Sequence, residues 1–232
     1  MFTRRATLGA LSALAIMATG SMAAAQDEPL YIPLISKGFQ HQFWQAVKQG
    51  ADQAAAEFGV EVTFEGPDNE TMVDRQIDML SAALSRNPSA IGFAALDSQA
   101  ATPLLQQAQE AGIPVIAFDS GVDSDIPLST ASTDNVAAAA LAADKMAELI
   151  GDEGQVAVVA HDQTSRTGID RVEGFVNRMA EAHPNIEVVT VQYGGGSAAV
   201  PRSSGSAGIT AWIARSPRAP QARMIVAQFS HA

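Results

Sequence analysis

The chain has 232 residues, of which 47% are hydrophobic, and its formal net charge at pH 7 is −11. This length is enough for one large or two small packed domains. The negative charge argues against nucleic acid or an anionic membrane surface as a partner. Cysteine is absent, which excludes disulfides, thiolate metal sites and cysteine nucleophiles.

The first residues have the three parts of a secretory signal. Arg4 and Arg5 supply positive charge, residues 8–18 form a short apolar run, and the alanines at 23–25 form a small-residue cleavage site. The apolar run is short for a membrane-spanning helix. We therefore expect residues 1–25 to be a cleaved signal peptide and the mature protein to be periplasmic.

Short apolar runs alternate with helical patterns from residue 30 onwards. The predicted strands cover residues 30–35, 60–64, 90–95, 113–118, 155–160 and 186–192, and a helical pattern separates each from the next. Near-continuous apolar strands of this kind, each followed by a helix, predict an α/β fold with parallel sheets covered on both faces. The pair Asp134-Asn135 precedes the alanine-rich helical pattern and is predicted to supply its N-cap.

The first predicted helix, Gln42 to Phe58, opens with aromatic residues. Phe43, Val47, Ala51, Ala54 and Phe58 recur at helical spacing and are predicted to pack on the sheet. Trp44 lies about 100° around the helix from this stripe, and Phe39 precedes the helix. We expect Trp44 and Phe39 to face a ligand, whereas Phe43 fits either the core or a ligand contact.

Ligands of open parallel sheets bind beyond the carboxyl ends of the strands. The residues that follow the predicted strands are mainly neutral hydrogen-bonding groups and carboxylates, together with aromatic rings and an arginine. They are Ser36 to Trp44, Pro67, Asp68, Asp97, Ser98, Asp119, Ser120 and His161 to Arg166. Carboxylates and amides bind hydroxyl groups, and aromatic rings cover the apolar face of a sugar. This set predicts a neutral, hydroxyl-rich small molecule as ligand.

No catalytic or cofactor motif is complete. The segment YGGG at 193–196 lacks the ending of a phosphate-binding loop, and the first strand-to-helix turn has one glycine, so a dinucleotide fingerprint is absent. The four histidines lack metal-ligand spacing, and neither Ser98 nor Ser165 lies in a nucleophile elbow. We expect no metal, no cofactor and no enzymatic activity.

Five segments carry a family resemblance. They are QHQFW (40–44), AALDSQA (94–100), IPVIAFDS (113–120), STASTDN (129–135) and TSRTGIDRVEGF (164–175). Each is weak alone, but their order and spacing together are specific. Over about residues 28–195 the chain resembles the periplasmic sugar-binding proteins of ABC transporters, and more narrowly the ribose-binding group, whose fold is shared with LacI-type repressor cores.

The resemblance implies the periplasmic binding protein type I fold, with two doubly wound parallel-sheet lobes that close on one monosaccharide. It implies a monomer that delivers the sugar to an ABC permease of the inner membrane. An alternative with the same fold is a sensory module that presents a sugar-like signal to a receptor. A LacI-type regulator is disfavoured, because an export signal stands where its helix-turn-helix would be.

The family's ligand positions fall on His41, Phe43, Trp44, Asp119, Ser120, Arg166 and Arg171. In the family the paired aromatics enclose the sugar ring, a polar side chain precedes them, and the carboxylate after the fourth strand accepts sugar hydroxyls. Ser120 stands where the family often has arginine, which predicts a different sugar contact. Arg166 and Arg171 bracket the position of a second-lobe arginine, and both remain candidates.

The composition changes near the C-terminus. All Asp and Glu residues lie at or before Glu187, and periodicity stops at about Gly196. We expect a first lobe at 27–134, a partial second lobe at 135–196 and an atypical, disordered tail at 197–232. A shifted reading frame that ends early explains this change better than a functional tail does. The 232-residue chain is then expected to bind sugar weakly or not at all.

Overall fold

The computed structural model describes residues 29–194, 210–215 and 223–228. The predicted signal peptide lies outside these residues. No helix in the described part of the chain combines the length and apolar character that a membrane crossing requires. The predicted α/β organisation is confirmed, and the described elements form two sheets, which the chain connects between Ala131 and Asn135.

The first lobe is a five-stranded parallel sheet with the order β2-β1-β3-β4-β5. Its elements are β1 (Tyr31–Ile35), α1 (Gln42–Phe58), β2 (Glu61–Glu65), α2 (Val73–Leu84), β3 (Ile91–Phe93), α3 (Thr102–Glu110), β4 (Val115–Phe118) and β5 (Thr130–Ala131). Ile35, Phe93 and Val115 of the strands pack with Leu80 of α2 and Leu105 of α3 in one buried cluster. Because all five strands are parallel, the loops that follow them lie at the same edge of this sheet.

The loops after β1 and β2 approach each other closely. A Cβ atom on Gly66 would lie 2.8 Å from the backbone oxygen of Gly38. Ser36 also donates its hydroxyl to the oxygen of Gly38 at 2.6 Å and to that of Glu65 at 3.0 Å. Glycine at 66 is required because any side chain would separate the two loops.

The second lobe contains a four-stranded sheet with the order β7-β6-β9-β8. Its elements are α4 (Asn135–Ile150), β6 (Gly154–Ala160), α5 (Arg166–Ala182), β7 (Ile186–Tyr193), β8 (Thr210–Arg215) and β9 (Arg223–Gln228). Met146, Val158, Phe175 and Met179 are buried between the helices and the sheet. The predicted cap is confirmed, since Asp134 accepts the backbone N–H of Ala137 at 2.9 Å.

Strands β8 and β9 lie within 197–232, the segment predicted to be a disordered tail. β9 pairs in parallel with β6, and β8 pairs antiparallel with β9. Without β9, the backbone N–H and C=O groups on one side of β6 would be unpaired. The segment RMIVAQ is rich in apolar residues that favour strands, and its backbone can pair with these groups. The proposed lobe boundaries themselves stay predictions.

Helix α1 presents a different face to the core than the stripe predicted. Phe58 is 72% exposed, whereas Trp44 is fully buried. The buried or half-buried side runs through Trp44, Ala51 and Ala55, spacings of seven and four that keep a helical face. The prediction that Phe58 packs on the sheet is therefore wrong. The helix is rotated so that the side with Trp44 is buried, and Phe58 points to solvent.

The α5 helix and the start of α4 meet backbone to backbone. A Cβ atom on Gly174 would lie 2.9 Å from the Cα atom of Val136, and the backbone oxygen of Val136 would be closer still. Only glycine permits this approach. The contact fixes α5 against the residues that enter the second lobe.

Candidate ligand-binding site

The carboxyl ends of the two sheets face each other, and their loops are in direct contact. The backbone N–H of Ser98 donates to the oxygen of Thr164 at 2.9 Å, and the Thr164 hydroxyl donates to the oxygen of Leu96 at 3.2 Å. Lys37, after β1, donates its ammonium group to the hydroxyl of Thr167 at 3.2 Å. The two lobes are therefore closed on each other.

Trp44 lies in the first turn of α1, at this cleft. Its ring contacts Phe43 edge-on, with 4.8 Å between centroids and an angle of 77°, and lies at 6.3 Å and 81° from Phe118. Its indole Nε1–H donates to Oε1 of Glu70 at 2.9 Å. Edge-to-face contacts of this kind hold aromatic rings in a defined orientation.

Glu70, in the loop between β2 and α2, is buried and connects the two lobes. Its Oε2 atom lies 3.3 Å from the ammonium of Lys37 and 2.9 Å from Nε2 of His161, which follows β6. A carboxylate buried to this degree requires such partners, because the loss of water costs several kcal/mol. Lys37 and His161 belong to the strand-end residues predicted from the sequence, although not to the positions implied by the family resemblance, and Glu70 belongs to neither set.

Asp119 and Ser120 follow β4 and carry unpaired polar atoms. In the described part of the chain, Asp119 Oδ2 and Ser120 Oγ are the buried side-chain polar atoms with no hydrogen-bond partner. Asp119 also has a positive φ of 58°. Burial raises the pKa of the Asp119 carboxyl, although the nearby ammonium of Lys37 opposes this. Unpaired buried groups and left-handed backbone at one residue are features of a functional site.

The two candidate arginines have different surroundings. Arg171 is half-buried in α5, and its Nε–H donates to Oδ1 of Asn135 at 2.8 Å. Burial lowers the pKa of Arg171, and the charges of Asp119 and Glu70 oppose this shift. Arg171 therefore interacts electrostatically with both carboxylates. Arg166 begins α5 and pairs with Asp170 and, at 3.4 Å, with Asp123.

The remaining predicted residue, His41, is the N-cap of α1. Its backbone is extended and its side chain makes no capping hydrogen bond. The structure places the Trp44 ring 6.3 Å from the ring of Phe118, the residue before Asp119, and Arg171 interacts electrostatically with Asp119. Arg166 is instead engaged with carboxylates near the surface. No three His, Asp or Glu residues in the described ranges are grouped so as to hold a metal ion.

Comparisons with known proteins agree with this geometry. A family model described as a periplasmic binding protein domain matches residues 32–214. The chain is 26% identical over 162 residues to the D-apiose import binding protein of Actinobacillus succinogenes, over 69% of this chain and 51% of that protein. It is 25% identical over 179 residues to the D-ribose/D-allose-binding protein of Pseudomonas aeruginosa, over 74% of this chain and 56% of that protein.

Solved structures of solute-binding proteins also resemble this chain. A carbohydrate-transporter solute-binding protein from Agrobacterium radiobacter, in complex with D-arabinose, matches with a TM-score of 0.69 at 31% identity, over 76% of this chain and 59% of that one. An ABC-transporter solute-binding protein from Agrobacterium vitis with bound D-fucose matches with a TM-score of 0.68 at 33% identity, over 71% and 58%.

The chain spans about half of the length of the curated relatives it matches, 51% and 56% in these two cases. The family match nevertheless covers well over half of the chain. By its family match, its two facing sheets and the polar cleft between them, the chain belongs to the periplasmic binding protein family and has the type I fold.

Proposed function

We propose that this protein binds a monosaccharide between its two lobes and serves as the solute-binding component of an ABC importer, without catalysis of its own. The observation that carries the proposal is the pair of unpaired buried atoms, Asp119 Oδ2 and Ser120 Oγ. Leaving such groups unpaired costs roughly 1–3 kcal/mol each. A sugar hydroxyl can donate to the carboxylate, and it can donate to or accept from the serine hydroxyl.

Each further residue has a role consistent with its position. Arg171 would donate to sugar oxygens beside Asp119, since it lies in electrostatic range of that carboxylate. Phe43 and Trp44, whose rings meet edge-on, would cover the apolar face of the sugar. His41 would supply a polar contact from the start of α1. The surface ion pairs of Arg166 argue against it as the ligand arginine.

The relatives support the class of ligand. Their names include D-apiose, D-ribose, D-allose, D-arabinose and D-fucose, which are all neutral monosaccharides. Neutral hydroxyl-rich molecules fit a cleft that offers carboxylate and hydroxyl acceptors on one side and an arginine on the other. Delivery to a permease of the inner membrane, by a monomer, is part of the same proposal.

Binding of these five sugars to the 232-residue chain tests the proposal. Of the two outcomes expected from the sequence, weak binding and none, the contacts between the lobes favour weak binding, with a Kd near 1 mM that corresponds to about −4 kcal/mol. Protein NMR at high sugar concentration detects such affinity, and Asp119→Ala should weaken it by roughly tenfold because it removes an acceptor. Saturable shifts that Asp119→Ala leaves unchanged would contradict the assigned site, and no shifts with any sugar would contradict the function.

Export is tested separately. The expected N-terminus of protein recovered from the periplasm is at or near Gln26, because the small-residue site precedes it. A protein that retains Met1 in that fraction would rule out cleavage.

A further inference from the structure

Glu70 is joined to both lobes through different atoms of one carboxylate. Oε1 accepts the indole N–H of Trp44 at 2.9 Å, within the first lobe. Oε2 lies 2.9 Å from Nε2 of His161, in the second lobe, and 3.3 Å from the ammonium of Lys37. The side chain of Glu70 is 3% exposed, so these contacts replace its hydration.

The loop that carries Glu70 is itself held in place. Asn69 accepts the backbone N–H of Thr71 at 3.0 Å and the Thr71 hydroxyl at 2.6 Å. On the other side of the loop, Gly66 lies against the backbone of Gly38. The carboxylate therefore sits on a defined backbone, and its two oxygens have fixed directions.

We propose that Glu70 is a positioning residue of the proposed sugar site, which fixes the orientation of the Trp44 ring and couples it to lobe closure through His161. This inference rests on the proposed function. The hydrogen bond from Trp44 sets the plane of the indole, and the contact with His161 forms when the second lobe closes. Hydrogen bonds to an ionised carboxylate are roughly twice as strong as neutral ones.

The indole N–H of Trp44 reports this arrangement directly and without sugar. The chain has two tryptophans, Trp44 and Trp212, so Trp44→Phe assigns the signal. Glu70→Gln should move the Trp44 indole proton upfield and speed its exchange with water, because an amide oxygen accepts less strongly. His161→Gln, in the other lobe, should move the same signal by a smaller amount.

Glu65→Gln is the matched control, since Glu65 lies at the end of β2 on the same loop and is exposed. It should leave the Trp44 signal unchanged. A folded Glu70→Gln protein with an unchanged indole signal would overturn the proposal, and so would an unchanged signal in His161→Gln. If Glu70→Gln does not fold, as judged by its melting curve, the His161→Gln spectrum decides.

Titration with D-arabinose separates this inference from the function on which it rests. Glu70→Gln should weaken D-arabinose binding by roughly tenfold, and Glu65→Gln should not weaken it. Equal affinity of Glu70→Gln and the parent would overturn the positioning role. An absence of binding of all five sugars in the parent would contradict the proposed function, while the sugar-free spectra would still decide whether Glu70 couples Trp44 to the second lobe.

Discussion

The first and second lobes contribute different chemistry to the cleft. The first lobe carries the carboxylates Glu70 and Asp119 together with the aromatic ring of Trp44, and the second lobe carries His161 and Arg171. Across the cleft, Nε2 of His161 lies 2.9 Å from Oε2 of Glu70, and the guanidinium of Arg166 lies 3.4 Å from Oδ1 of Asp123, so polar groups of the two lobes pair with each other. Lys37 is a cation on the acidic side, and it is paired with Glu70 there.

The two lobes also differ in whether their buried polar atoms have hydrogen-bond partners. Both unpaired buried atoms of the described chain, at Asp119 and Ser120, belong to the first lobe. In the second lobe, Arg171 already donates to Asn135 and His161 lies against Glu70. The first lobe thus holds the open acceptors of the proposed site, and the second lobe supplies groups that are already oriented by partners.

The largest expected effect is on the aromatic side of the first lobe. Trp44→Ala should lower the free energy of unfolding by about 3–5 kcal/mol, because it removes a fully buried ring. Phe58→Ala, on the same helix, is the control and should cost less than about 1 kcal/mol, since Phe58 is 72% exposed. Urea unfolding measures both, and equal losses would show that Trp44 is not part of the core.

The second test compares the two arginines. Arg171→Gln should weaken sugar binding by about 1.5–3 kcal/mol, because it removes a charged donor that interacts electrostatically with Asp119. Arg166→Gln should have little effect, since its partners are Asp123 and Asp170. NMR titration with the sugars that bind the parent gives both affinities. A larger loss for Arg166→Gln would assign the ligand role to that residue instead.

The third test concerns the unpaired acid of the first lobe. Asp119→Asn should raise the free energy of unfolding of the sugar-free chain at pH 7 by on the order of 1 kcal/mol, while it weakens sugar binding. It removes a charge that burial disfavours, and asparagine tolerates the positive φ.

The sign of the pH dependence follows from the same residue. Burial raises the pKa of Asp119 in the folded state, so the cost of its charge is absent below 3.8 and grows as the pH rises through the folded-state pKa. The stability gain of Asp119→Asn should therefore be largest at neutral pH and vanish in acid. Thermal melting at several pH values measures it, and a gain independent of pH would contradict this cause.

The smallest effect is expected in the second lobe, away from the cleft. His183 lies 2.9 Å from Asp144 and 2.6 Å from Asp152, and hydrogen bonds to both carboxylates raise its pKa above 6.5. The stabilisation is full below pH 6.5 and is lost as the pH rises through the raised pKa. The melting temperature of the parent should therefore fall as the pH rises through the raised pKa, and His183→Gln should abolish this fall. Parallel pH profiles for variant and parent would contradict it.

Local pattern predicted much of this molecule. Apolar periodicity predicted the order of strands and helices, and the rule that ligands bind at strand ends selected Asp119 and Ser120, the two residues with unpaired buried atoms in the described part of the chain. The prediction of the strands and helices is confirmed because periodicity is a property of contiguous residues, whereas a ligand contact at Asp119 and Ser120 stays a prediction. These patterns require no knowledge of distant contacts.

Long-range contacts account for what the sequence did not predict. The burial of Trp44 depends on Phe118, and the role of Glu70 depends on His161, 91 residues away along the chain. The distinction between the arginines likewise depends on partners such as Asn135, 36 residues from Arg171. No periodic pattern marks such pairs. The strand pairing of β9 with β6 is missed for the same reason.

The close approach of Gly174 to Val136 has a consequence for how sequence variants would be interpreted. A methyl group at position 174 must displace either α5, which carries Arg171, or the start of α4, which carries Asn135. If the protein serves sugar uptake as proposed, a genetic screen for uptake would score Gly174→Ala as a transport defect, although residue 174 is not among the proposed sugar contacts. Inherited variation at this position would thus resemble a lost binding residue while leaving every proposed sugar contact in the sequence unchanged.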